Sequence, residues 1–321
     1  MSLTTILMTV FSTTLIYAAP LIFTALGGTF SERSGVVNVG LEGMMIVGAF
    51  SSTVFNLAFA NVLGSATPWI SLLVGAVFGL LFSILHAVAT INFRADHIIS
   101  GTVLNLMAPA LCVFLTRIFY SGKGQTPVLD QSMGTFTFPV LSQIPFIGKV
   151  LFTRTSLVAF LAVLVGGIAS WYFLYRTNIG LRLRSVGENP TAADTLGINV
   201  GTYRYLGVLL SGFLGGIGGA VMAQSITLNF SASTISGQGF MSLAAMIFGK
   251  WNPLGATGAA IFFGLAQSLP IIGGGYIPVL SHVNSVWFQI APYAITVIVL
   301  VFFLGKAVAP AADGQNYIKG K

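Results

Sequence analysis

The chain has 321 residues, 55% of them hydrophobic and 7% charged, with 38 Gly and 26 Phe. Soluble domains carry roughly 25% charged residues, so an ordinary soluble enzyme is excluded, and the apolar content excludes disorder. The net charge of +7 comes from 14 Lys and Arg against 7 Asp and Glu. It implies no nucleic-acid partner, because no basic cluster interleaved with aromatics is present on a soluble face.

The placement of the charges defines the elements. No Asp, Glu, Lys or Arg occurs in 1–31, 43–93, 97–116, 155–175, 205–249 or 251–305. A helical span needs about 20 apolar residues, whereas barrel strands alternate over about 10, so the chain reads as an all-α polytopic membrane protein forming a single domain over 1–321. Residues 1–31 lack the basic n-region of a signal peptide and read as a retained span. With turn residues as dividers, spans fall at 5–27, 35–60, 68–91, 98–119, 156–175, 204–223, 238–250, 254–272 and 287–305. The seventh of these nine is short and bracketed by Gly237, Gly239, Gly249 and Pro253, which predicts a broken or re-entrant element.

An outside N-terminus puts Arg33, Arg94, Arg176, Arg182, Arg184, Arg204, Lys250, Lys306, Lys319 and Lys321 in the cytoplasm. Arg117, Lys123, Lys149 and Arg154 then face out. This arrangement obeys the positive-inside rule and the reverse breaks it, so the C-terminus is predicted to be cytoplasmic.

The second span opens on SERSGVVNVGLEG at 31–43. Asn38 and Glu42 are four residues apart and share a helix face. A carboxylate one to two turns into a span is costly and needs a purpose. Glu42 either lines a solute path or acts as a structural tie to Arg33 or to a backbone amide. His86 and His97 are intramembrane or interfacial, but His86 has no acidic residue within a helical turn, which disfavours a proton relay. Asn105, Gln224, Asn229, Gln238 and Gln267 add neutral amides near or within spans. A path lined with amides fits a neutral polar solute better than an ion.

Between the fifth and sixth spans lies a charged stretch, 176–204. Asn189 suits an N-cap, Pro190 the first helical position, and Gly197 a left-handed end. These predict a helix near 188–196 of about seven residues, roughly 10 Å long and too short to span. With Arg182, Arg184 and Arg204 beside it, the helix is either a docking element for a partner or a local closure of the bundle. In the sixth span, Gly212 with Gly216 and Gly215 with Gly219 have the GxxxG spacing of close helix packing.

Several chemistries have no signature here. Cys112 is the one cysteine and lies in an apolar stretch, so neither a disulfide within the chain nor a Cys/His metal site is expected. No P-loop string occurs, since Gly249-Lys250 is followed by Trp251. The three histidines are scattered, and no nucleophile, base and acid constellation is visible.

The strings ERSGVVNVGLEGMMIVGAF at 32–50, GLRLRSVGENPTAADTLGINV at 180–200 and LAAMIFGKWNPLGATGAAIFFG at 243–264 resemble the permease subunits of bacterial ABC importers in the ribose, branched-chain amino acid and nucleoside group. The first string looks most like the nucleoside branch. The resemblance implies that Gly187, Glu188, Asn189, Pro190, Ala192, Ala193 and Asp194 belong to a coupling helix that docks on a separate ATPase. It further implies a second related permease subunit, an ATPase with two nucleotide-binding modules, an extracytoplasmic solute-binding lipoprotein and a place in the bacterial plasma membrane, with no cofactor of the chain's own. The solute expected is a nucleoside, with a simple sugar or a stand-alone secondary transporter as the alternatives. The residues marked for the solute path are Asn38, Glu42, Asn105, Gln224 and Asn229.

Overall fold

Uninterrupted apolar runs become helices here, and the polar strings between them become turns that gather at the two ends of the bundle. The computed structural model describes residues 3–145, 147–275 and 308–319, together with the single positions 287, 290, 294 and 297. The first helices are α1 (Leu3–Arg33), α2 (Leu41–Leu63), α3 (Thr67–Ala87), which continues as a π-helical turn to Asn92, and α4 (His97–Phe119). A short helix α5 (Ile147–Leu151) lies in the following segment. There, β1 (Thr135–Phe136) pairs antiparallel with β2 (Thr155–Ser156). The next crossing is continuous from Leu157 to Arg176, made of α6 (Leu157–Leu161), a π-helical stretch and α7 (Ser170–Arg176). Then come α8 (Asn178–Glu188), α9 (Pro190–Thr195), α10 (Val200–Met222), α11 (Gln238–Phe248) and α12 (Pro253–Gly275).

Five stretches of the described chain are long and apolar enough to cross a membrane, and one of them, Leu41–Asn92, holds both α2 and α3. The protein is therefore an all-α membrane protein. The predicted second span starts six residues late, because Gly35 takes φ +88° and residues 34–40 form a turn. The expected ninth span, 287–305, lies almost wholly outside the described residues.

Helix α10 is the hub, and its glycines explain why. In lipid no hydrophobic force draws helices together, so close backbone approach supplies the attraction. A Cβ on Gly216 would overlap the Gly75 carbonyl of α3, and one on Gly219 would overlap the Met45 carbonyl of α2. The GxxxG spacing thus serves packing within the chain. Helix α4 stands at the edge and leaves Ile98, Ile99, Val103, Leu106, Leu111, Phe114 and Ile118 exposed, a surface suited to lipid.

Both ends are tied by polar contacts. At one end residues 126–133 run beside 224–230, with the amides of Thr126, Leu129 and Met133 donating to the carbonyls of Phe230, Leu228 and Gln224. At the other end the 34–40 turn, α8, the 249–252 turn and the tail 308–317 meet. There the Ala312 amide donates to the Gly187 carbonyl at 2.9 Å, and the Gly314 amide to that of Gly35 at 3.2 Å.

Candidate solute path and coupling face

The chain after α10 is interrupted, as its flanking glycines predict. Residues 228–237 form irregular chain with Leu228, Ser236 and Gly237 at positive φ, and α11 begins only at Gln238. A helix of 11 residues is about 16 Å long, roughly half a bilayer core. Its first amides point away from solvent and need acceptors. Glu42 supplies them: its two carboxylate oxygens accept from the amides of Gly237 and Gly239, each at 2.6 Å. Placed at a helix N-terminus, the charge also meets the favourable end of the helix dipole.

This geometry decides between the two internal ties open to Glu42. Arg33 is not its partner; the Arg33 guanidinium donates to the Trp251 carbonyl at 2.9 Å and lies 3.5 Å from Glu188. The neighbouring Glu32 accepts from the Trp251 indole at 2.5 Å, so α1 is fastened to the α11–α12 turn and to α8.

The five residues marked for the path fall into two groups. Asn38 is fully buried at the end where α2 begins, donating to the Ser211 hydroxyl at 2.8 Å and accepting from the Gly40 amide. Asn105 accepts from the Gly43 amide and donates to the Val39 carbonyl, fastening α4 to the start of α2. Together with Glu42, these two residues tie the start of α2 to α10, α4 and α11. Gln224 lies in the π-helical extension of α10 toward the opposite end. Asn229 is nearby in the irregular segment, its carbonyl accepting from Thr227.

Around Gln224 the structure gathers residues that sequence reasoning missed. The Asn56 amide nitrogen donates to Gln224 Oε1 at 2.6 Å and to the Gln131 carbonyl at 2.8 Å, and Gln224 Nε2 donates to the Ser52 carbonyl. Asn56 Oδ1, Thr53 Oγ1 and Ser225 Oγ are buried with no hydrogen-bond partner among the described residues. Buried polar groups are nearly always partnered, so these three atoms are the open hydrogen-bonding positions of the cluster. The available signal was Asn56 itself, an isolated amide in the run Val54-Phe55-Asn56-Leu57-Ala58. His86 and His97 have structural partners: His86 contacts the Ser100 hydroxyl and the Val37 carbonyl, while His97 accepts from the Val37 amide.

The stretch 176–204 holds two helices rather than one. Thr177 caps α8, and Gly180, Leu183, Val186 and Gly187 form its buried face. Helix α9 follows the expected chemistry, with the Asn189 side chain accepting from the Ala192 amide at 2.9 Å and Gly197 at φ +81°. Its bounds are narrower than expected, because Glu188 belongs to α8. Two residues expected at a docking surface face inward. Ala193 is 2% exposed and packs with Val186 and Val200, and Arg204 is likewise buried. Arg184 stacks on Tyr175 at 4.5 Å and donates to the Leu174 carbonyl. The outward face of this corner consists of Thr191, Ala192, Thr195 and Leu196, the last 80% exposed.

A helical membrane bundle with a half-length helix, an enclosed amide cluster and a capped helix outside the spans is the architecture of a polytopic permease. Residues 10–304 match the family described as branched-chain amino acid transport system / permease component, and the chain belongs to that family. It is 64% identical to the nucleoside ABC transporter permease protein NupC of Lactococcus lactis subsp. cremoris (strain MG1363), over 96% of each chain. It is 51% identical to the guanosine ABC transporter permease protein NupQ of Bacillus subtilis (strain 168), over 100% of each. A more distant relative is NupB, also a nucleoside ABC transporter permease protein of that Lactococcus strain, at 23% identity over 78% of this chain and 69% of that one.

Proposed function

We propose that the chain is a permease subunit of an ATP-driven nucleoside importer, forming part of the solute path and transmitting the work of a separate ATPase. The observation that carries this reading is end-to-end similarity to two permeases whose names specify nucleoside and guanosine transport. The amide cluster supports a neutral, hydrogen-bonding solute. In it Gln224, Asn56, Thr53 and Ser225 face or adjoin the path with Asn229 at its edge, while Asn38, Glu42 and Asn105 hold the wall.

In this reading the chain has nine crossings, α11 with 228–237 being the broken one and 287–305 the last, with the N-terminus outside and the tail in the cytoplasm. The domain is single. Helix α9 is the coupling helix: Ala192 with its exposed neighbours contacts the ATPase, while Gly187, Glu188, Asn189, Pro190, Ala193 and Asp194 set its position. The second permease subunit is a related, non-identical chain, a pairing supported by the presence of both NupB and NupC in one organism. An ATPase with two nucleotide-binding modules and an extracytoplasmic solute-binding lipoprotein complete the machine.

The test is uptake of labelled nucleosides by the reconstituted complex. Uptake should require ATP, persist when the proton gradient is dissipated, and be competed by unlabelled guanosine. Competition by ribose in preference to nucleosides would overturn the solute assignment, and uptake without ATP would overturn the coupling.

A further inference from the structure

Two adjacent residues other than glycine, Lys250 and Trp251, take left-handed backbone at φ +56° and +53° in the turn between α11 and α12. Strain of this kind persists only where the surroundings enforce it, and it collects at switch regions. The last turn of α1 does the enforcing. The Trp251 indole donates to Glu32, the Trp251 carbonyl accepts from Arg33 Nε, and the Lys250 carbonyl lies 3.5 Å from Arg33 Nη2. The ring of Trp251 is buried in one apolar cluster with Met246 and Ala256, so the turn and the end of α11 are packed together.

The same two residues of α1 also reach the other way. Arg33 lies 3.5 Å from Glu188 at the end of α8, and a Cβ on Gly187 would overlap the Arg33 carbonyl. Glu32 shares a hydrogen bond with the Asp313 carboxyl of the tail, which requires that one of the two hold a proton. The tail is fastened in turn to α8 and α9. The Ala311 amide donates to Glu188 and the Ala312 amide to the Gly187 carbonyl, while Tyr317 packs with Val186 and Ala193 and its hydroxyl donates to Asp194.

We propose that Glu32 and Arg33 are positioning residues for coupling, passing displacement of the α8–α9 corner to the 249–252 turn and so to the adjoining end of α11. This rests on the reading of α9 as the coupling helix. A turn held in a costly conformation by two side chains has a less strained alternative once either is withdrawn, which supplies the two states that a relay needs.

The experiment uses the assembled transporter in proteoliposomes and reads nucleoside imported per ATP hydrolysed. Trp251→Phe removes the donor to Glu32 and keeps an aromatic ring in the apolar cluster; it should lower that ratio about tenfold. A merely structural role would lower the amount of complex, and both rates together, with the ratio unchanged. Because one route is broken at two points, Glu32→Leu/Trp251→Phe should couple no worse than Glu32→Leu alone, and multiplied losses would overturn the relay. In the unmodified complex the Lys250 and Trp251 amides donate to the Ile247 and Met246 carbonyls. Their hydrogen exchange should differ between the ATP-bound and nucleotide-free states, and identical exchange would overturn the proposal whether or not the variants assemble. Leu196→Asp, on the outward face of α9, separates the two readings. If it uncouples while Trp251→Phe keeps the wild-type ratio, the relay is wrong and the coupling helix stands; if it has no effect, the coupling-helix reading fails and the relay falls with it.

Discussion

Glu42 spends its charge on main-chain amides, and that makes its replacement a test of architecture. Glu42→Ala leaves the amides of Gly237 and Gly239 without acceptors in an enclosed place. Each bond to a charged group contributes about 1.5 to 3 kcal/mol, so a loss of about 3 kcal/mol or more is expected in a denaturation experiment. Glu42→Gln retains one acceptor and should lose roughly half as much. At the tail, burial pushes the Asp313 carboxyl up to about 7, against the pull of Glu32, the Gly314 amide and Arg204, which lower it. A docked value above the ordinary 3.8 means that the docked tail takes up a proton that the free tail does not hold. The stability it contributes is complete below the free value and is lost as pH rises through about 7. The tail should therefore exchange its amide hydrogens faster at about pH 8 than at about pH 6, after correction for intrinsic rates, and Asp313→Asn should remove the difference. Sequence made the Glu42 tie visible as an option, because a carboxylate inside a span needs a partner. It did not identify the amides, which lie 195 and 197 residues away. Arg204 was misjudged for the same reason, since its burial comes from the turn at Gly35 and from the tail, both remote in the chain.

Among the elements, those with local instructions were the most legible. Helix α9 carries its own cap, its own first-turn proline and its own terminating glycine within nine residues, so its position followed from short-range chemistry. Helix α8 was overlooked because its charges and glycines read as loop, although Gly180, Leu183, Val186 and Gly187 repeat at helical spacing. The two faces of α9 give opposite expectations. Leu196→Asp alters an exposed position and should reduce solute-dependent ATP hydrolysis in the complex without lowering the melting temperature. Ala193→Asp buries a carboxylate among Val186 and Val200, at a cost of several kcal/mol, and should lower both stability and activity. Equal effects of the two changes on stability would refute this division.

For the whole molecule, the charge census predicts an orientation and a number of crossings but says nothing about which helix lies at the centre. That information resides in the glycine pattern of α10, whose partners on α2 and α3 are set only when the bundle closes. Orientation is checked by labelling cells that carry Cys112→Ala. A cysteine at Lys123 should react with an impermeant reagent from outside, and one at Thr191 should react only after the membrane is opened; the reverse pattern would invert the topology.

The glycine contacts also bear on mechanics. Where main chain rests on main chain, no side chain can change rotamer to let one helix slide past the other, so α2, α3 and α10 behave as one rigid block. Helix α11 meets this block main chain to main chain at its N-terminus, where Gly239 rests on Glu42, and farther along it touches α1 through the flexible methionine Met246 against Gly28. Displacement during a transport cycle is then expected at the Met246 end of this half-helix, with the Gly239 contact as its pivot. Paired spin labels on the exposed faces of α3 and α10 should keep one separation with and without ATP, while a pair spanning α3 and α11 should change.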